Sequence, residues 1–314
     1  MFFLATAAGN GLTTFFGHSF IRYGLLAGTF IALACGLVGY FLVLRAQVFT
    51  SDALGHVAYT GALAALAFGL DPGVGLFAAT VLVALGLAAL GSRSRPDDVV
   101  IGSVFAWILG LGVFFLTIYT TSRSTGNGSA SVNYLFGSIF GLSATQSVLA
   151  AIVCGVVSLA VVLIARPLLF ASVDEAVAAA RGVPVRILGI AFLVLVGVTA
   201  AQAAPAVGAL LLLGLMAAPG GAAQRLTTRP FVGLAISGAI AVASMWIGVV
   251  LSYLVPSMPP SFAVLAVATC SYVAAALVAR ARRETVPAAQ DQPIGRGLRR
   301  WVGEALSSSS PTIR

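Results

Sequence analysis

Two ionisable side chains stand four residues apart in an apolar stretch. Asp52 and His56 lie in Thr50-Ser51-Asp52-Ala53-Leu54-Gly55-His56-Val57-Ala58-Tyr59-Thr60-Gly61, inside a hydrophobic run from Val48 to Leu70. Ionisable groups at membrane depth cost several kcal/mol, so they need a partner or a job. On a helix, a spacing of four stacks both side chains on one face, roughly 5–6 Å apart at Cβ. A carboxylate and an imidazole together accept a divalent ion of the first transition row. The pair offers only two ligands. Dimer symmetry, backbone carbonyls or water must complete the shell, and so open a site also lets its ion go. The same residues would serve as a proton relay, or as a hydrogen bond that pins two helices. Ser51, Ala53, Gly55, Ala58 and Gly61 are small, which admits a second helix or leaves room for an ion.

The elements around this pair are membrane helices. Of the 314 residues, 60% are hydrophobic and 8% charged, and mean hydropathy is +1.05. A soluble domain is about a quarter charged. Closed barrels need short alternating segments, whereas these apolar runs are long and continuous. The fold class is therefore an all-α, polytopic transmembrane bundle of about 8–9 spans. All 17 basic residues are arginine and the net charge is +8. They fall mostly in connections and in the C-terminal tail, as topology signals do. No basic-aromatic domain accompanies them, so nucleic acid is not a partner. Without lysine, no P-loop is possible. No His-Glu-x-x-His motif or Ser/His/Asp set is present, so the chain is not read as an enzyme. Cys35, Cys154 and Cys270 sit in three separate apolar segments, with neither metal-ligand spacing nor a disulfide pattern.

Three regions follow along the chain. Residues 1–19, with His18, form an N-terminal segment expected to be interfacial, without the basic start of a signal peptide. Residues 20–280 hold the membrane domain. Residues 281–314 form a polar tail, disordered or amphipathic. Spans are predicted from Phe20 to Leu44, Val48 to Leu70, Val74 to Leu90 and Val99 to Thr120. Tyr134 to Ser143 is apolar but too short to cross, as a re-entrant or interfacial piece would be. A fifth span runs from Gln146 and ends at Arg166-Pro167. Pro205 interrupts the next apolar run, and Pro219 marks a helix break in the seventh span. Arg45, Arg93, Arg95, Arg166 to Arg186, Arg225, Arg229 and the tail then share the cytoplasmic side. The 121–133 loop and the Pro256–Pro260 turn are external, and the C-terminus is cytoplasmic.

Ser172 to Gly182 breaks the apolar pattern. Asp174 and Glu175 come early, Arg181 comes late, alanines fill the middle, and Gly182 stops it. Acids at the start and a base at the end describe a short capped helix. It is too short and polar to cross, so it lies flat at the surface. It is either a connector or a seat for a soluble partner.

Taken together, these motifs resemble the membrane permeases of manganese, zinc and iron ABC importers, over roughly Phe20 to Arg280. The carriers are Val43-Leu44-Arg45, the Asp-x-x-x-His of Asp52 and His56 ahead of Gly61, Leu135-Phe136-Gly137, Glu175 with Ala178 and Arg181-Gly182-Val183-Pro184-Val185, and Val207-Gly208 to Pro219. The resemblance implies passage of a divalent metal ion past Asp52 and His56, with no permanently bound cofactor. It implies a second permease copy, an extracytoplasmic metal-binding protein and a cytoplasmic ATPase. The ATPase would dock on the segment with Asp174, Glu175, Ala178, Ala179, Arg181 and Gly182. It also implies a multi-pass protein of the bacterial cytoplasmic membrane. Two positions depart from the family pattern: Ser138 stands where Asp is frequent, and Ala58-Tyr59-Thr60 replaces a segment where Pro is common. A permease for iron-siderophores or cobalamin would share the plan but need a wider path, and a proton-coupled transporter would need no ATPase.

Overall fold

The computed structural model describes residues 19–90, 98–122, 129–255 and 257–284. The expectations for His18, for Arg93 and Arg95, for the centre of the 121–133 loop, for Pro256 and for the tail lie outside these residues. Eleven α-helices are described: α1 (Ser19–Leu44), α2 (Val48–Phe68), α3 (Pro72–Leu90), α4 (Asp98–Ser122), α5 (Ser129–Phe136), α6 (Ala144–Val173), α7 (Glu175–Ala180), α8 (Val185–Val207), α9 (Ala209–Leu226), α10 (Pro230–Leu254) and α11 (Pro260–Glu284). A single 3-10 turn, Ile139–Gly141, joins α5 to α6. Among the described residues, eight helices are long and apolar enough to cross a membrane. The long helix left out is α2, whose 21 residues include Thr50, Ser51, Asp52, His56 and Thr60. These polar groups lower its hydropathy, and it is enclosed by its neighbours instead.

α1 is the hub, packed against α6, α9 and α10. From Ile31 to Leu42 every residue but Leu33 is buried. Small residues let the neighbours close in, since helix association in lipid depends on packing rather than on escape from water. A Cβ at Gly39 would run into the Met216 carbonyl of α9. Polar groups fasten the same contacts. Ser237 Oγ on α10 donates to the Gly36 carbonyl at 2.6 Å, and Gln224 Nε2 on α9 donates to the Tyr40 carbonyl at 3.1 Å.

α2 and α3 form a hairpin. Gly69, at φ +75°, closes α2. The Asp71 carboxylate then accepts from the backbone N–H of Gly73 at 2.8 Å and Val74 at 3.3 Å, fixing the turn. α4 flanks α2 and is otherwise barely buried.

Proline does not end helices here as the sequence leads one to expect. α6 opens on a capping box between Ser143 and Gln146 and runs through Pro167 to Val173. The predicted stop at Arg166-Pro167 is thus seven residues early. Ala165, Leu168 and Ala171 are buried on both sides of Pro167 and hold the helix where one backbone bond is lost. Pro205 lies inside α8. The predicted break at Pro219 is likewise corrected, because α9 continues through it to Leu226. Pro219, Gly220 and Gly221 are buried, and a Cβ at Gly220 would lie 2.7 Å from the Gly39 carbonyl, so α1 braces this stretch.

The break falls instead at Gly208, with φ +96° and ψ +144°, a conformation that L side chains rarely adopt. Gly137, at φ +74°, packs directly on it, and the Ser138 N–H donates to the Pro205 carbonyl at 2.9 Å. The short Leu135-Phe136-Gly137 piece is therefore seated on the α8–α9 break. By its contacts the chain divides after Ala276. The described part of the second unit is the end of α11, from Leu277 to Glu284.

Candidate functional site

Between Thr50 and Leu63 of α2, only Asp52 and Tyr59 are not buried. His56 lies between them at 8% exposure. Spacings of four and three put Asp52, His56 and Tyr59 on one stripe. The stripe is the single opening on a stretch otherwise closed by other helices. Asp52 and His56 interact electrostatically. Among the described residues, no hydrogen bond or ion pair ties either to another helix, so the arrangement of a helix-pinning bond is not found.

Three neighbours set the stripe. The His56 ring meets Phe105 of α4 edge-on, with centroids 5.2 Å apart. One turn on, Thr60 Oγ1 donates to the Ile108 carbonyl of the same helix at 3.1 Å. On the other side, Gly55 faces the start of α9, where an added Cβ would sit 3.3 Å from the Ala209 carbonyl. Phe105 was not singled out in the sequence because one phenylalanine among many apolar residues gives no signal. The site holds one carboxylate and one imidazole. No group of three or more His, Cys, Asp or Glu exists among the described residues.

Behind the stripe, Ala58 and Ala62 pack with Leu76, Ala201 and Ala204. A cavity of about 250 Å³ beside this cluster is lined by Asp71, Phe77, Tyr134, Gln146 and Gln202. Burial, and after it the Asp71 charge, push the Tyr134 phenol above its ordinary pKa.

The second candidate surface is α7. Asp174 caps it, its carboxylate accepting from the Val177 N–H at 2.9 Å. Gly182 ends it at φ +81°. Glu175 is half-buried, while Ala176, Val177, Ala179, Ala180, Arg181 and Gly182 are exposed. Ala178 is not available to a partner: it is fully buried, and its carbonyl accepts the Val183 N–H at 3.1 Å. A one-turn helix lying on its own protein must spend one face on that contact, and Ala178 is that face.

Arg45, read from the sequence as a marker of the cytoplasmic side, is buried. The α1–α2 connection has three residues, with Ala46 at φ +54°, and the Arg45 side chain turns inward to 2% exposure.

Known proteins share this architecture. The chain is 28% identical over 248 residues to the manganese transport system membrane protein MntC of Halalkalibacterium halodurans, covering 77% of this chain and 83% of that one. It is 30% identical over 237 residues to MntD of Bacillus subtilis, a manganese transport system membrane protein, covering 71% and 80%. A Haemophilus influenzae protein named as a probable iron transport system membrane protein is 28% identical over 236 residues, covering 74% and 84%. The fold matches PsaBC from Streptococcus pneumoniae, solved in complex with Fab, at TM-score 0.74 and 20% identity, over 85% of this chain and 95% of that one. A model of the ABC 3 transport family matches residues 17–279, and the chain belongs to that family.

Proposed function

We propose that this chain is the permease subunit of an importer that carries a divalent transition metal ion, manganese in the first instance, past Asp52 and His56. The observation that carries this reading is the stripe of Asp52, His56 and Tyr59, the one open line on α2 between Thr50 and Leu63. Its carboxylate and imidazole suit a first-row divalent ion. Two of the relatives named above are manganese transport proteins and one is named for iron, which favours these ions over zinc. A second copy facing the first would double the two ligands to four. With no nucleotide site of its own, the permease takes its work from a cytoplasmic ATPase seated on the exposed side of α7. An extracytoplasmic metal-binding protein delivers the ion at the opposite face. The arginine distribution puts α7 and the C-terminus in the cytoplasm.

The test is the metal content of cells lacking the gene, by elemental analysis, with and without restored expression. A selective fall in manganese that expression reverses is expected. A fall confined to iron or zinc reassigns the ion. Unchanged manganese, iron and zinc overturns the reading and leaves the siderophore or cobalamin permease.

A further inference from the structure

Arg45 is the largest fully buried side chain among the described residues. Burying a guanidinium is costly unless its donors are used, and here they reach three elements. Nε donates to Gln47 Oε1 at 3.2 Å within the α1–α2 connection. Nη1 points to Ser172 Oγ at 3.5 Å, at the far end of α6. The guanidinium carbon lies 5.5 Å from the centre of the Phe192 ring on α8. Ser172 Oγ in turn donates to the Leu168 carbonyl at 2.5 Å, which leaves its lone pairs for the arginine.

These contacts define a joint. Ser172 is two residues before Asp174, the cap of α7, and Phe192 is two turns into the helix that follows α7. Arg45 thus touches both helices that flank α7. On its other side it sits in the tight connection that starts α2, about two turns before Asp52. Next to it, Gln47 Nε2 and Thr50 Oγ1 are buried without a hydrogen-bond partner. A buried unsatisfied group favours any rearrangement that gives it a partner, so movement at this corner need not cost these two groups a bond.

We infer that Arg45 is a positioning residue that fastens the α1–α2 corner to the ends of α6 and α8, so that displacement of α7 moves the helix bearing Asp52 and His56. The inference rests on the reading of α7 as the ATPase seat. Arginine suits the joint because its planar fork engages a carboxamide, a hydroxyl and an aromatic face at once, which lysine does not.

The experiment uses the full complex with its ATPase in proteoliposomes, with the exposed Cys270 replaced by Ser. A nitroxide is placed at Val173→Cys, beside α7, or at Phe49→Cys, at the start of α2. Both positions are exposed. In otherwise unaltered protein, ATP is expected to change the spectrum at both. With Arg45→Met, the change at 173 persists, the change at 49 is lost, and manganese moved per ATP falls about tenfold, within the range of coupling between sites. Arg45→Lys falls between the two. A retained response at 49 with normal manganese per ATP in Arg45→Met overturns the proposal. If Arg45→Met does not assemble, Ser172→Ala and Arg45→Lys carry the test, and an undiminished response at 49 in both overturns it. Absence of any ATP response at 173 in the parent protein sinks the α7 seat itself, a failure separate from that of the arginine joint.

Discussion

His56 and Phe105 meet edge-on at 5.2 Å between ring centroids, across the α2–α4 contact. The phenylalanine packs against the imidazole from the neighbouring helix. An aromatic pair contributes about 0.5–1.5 kcal/mol beyond its buried area. Phe105→Ala is therefore expected to lower manganese uptake about two- to tenfold at normal membrane levels of the protein, and Phe105→Tyr to lower it less. Normal uptake in Phe105→Ala would show that the ring orientation is set elsewhere.

The ligands themselves should matter more. Changing residues that only support a metal ligand already costs about 10–100-fold in affinity or activity. Asp52→Asn and His56→Ala should each cut uptake at least that far while the protein still inserts and assembles. Radiolabelled manganese uptake, with immunoblotting of membranes, checks this. Wild-type rates in both variants exclude the stripe as the ion path.

Gly208 should be intolerant of a side chain. Its φ of +96° with ψ of +144° is glycine's own territory, and a Cβ would sit 2.7 Å from the Leu135 carbonyl. Strain at such a position costs about 1–3 kcal/mol. Gly208→Ala is expected to lower the melting temperature of the detergent-solubilised protein, whereas Pro219→Ala, within a continuous helix, should change it less. Equal melting of Gly208→Ala and the parent would contradict the described break.

The arginine asymmetry makes a labelling prediction. In a background with Cys270 replaced, Ser257→Cys should react with an impermeant thiol reagent in intact cells, and Ala179→Cys only after permeabilisation. Both positions are exposed on the protein, so access depends on the side of the membrane. The reverse pattern inverts the orientation.

Ala179→Arg tests the proposed seat on α7. It places a large charge on the exposed side of the helix without touching the buried Ala178. An unpaired charge forced into an interface is strongly unfavourable. Loss of co-purification with the ATPase is expected, with folding of the permease intact. Normal co-purification and normal metal-stimulated hydrolysis would return α7 to the status of a connector.

Long helices were legible because each apolar run is continuous and ends in charge, glycine or proline. Asp52 and His56 were legible because no other acid or base stands between Val48 and Leu70. The errors share one cause: local rules ignore neighbours. Pro167, Pro205 and Pro219 were read as stops or breaks, yet burial and close helix contacts carry the chain through all three. Gly208 was quoted only as part of the family resemblance and not as a break, because that role comes from Gly137 pressing on it, 71 positions away by number. Arg45 read as a cytoplasmic marker, and only the three-residue connection and the approach of Ser172 and Phe192 turn it inward. Ala178 was grouped with its exposed neighbours, because a one-turn helix is too short for periodicity to reveal its buried face.

The bond from the Ser138 N–H to the Pro205 carbonyl joins the irregular backbone after Gly137 to the last turn of α8. A carbonyl in a helix's last turn and an N–H outside any helix have no ladder partner, and lipid offers no substitute. Each therefore serves as the other's solvent. Pulling them apart would leave both polar groups without a partner at once, so this contact ties the Gly137 turn to the end of α8.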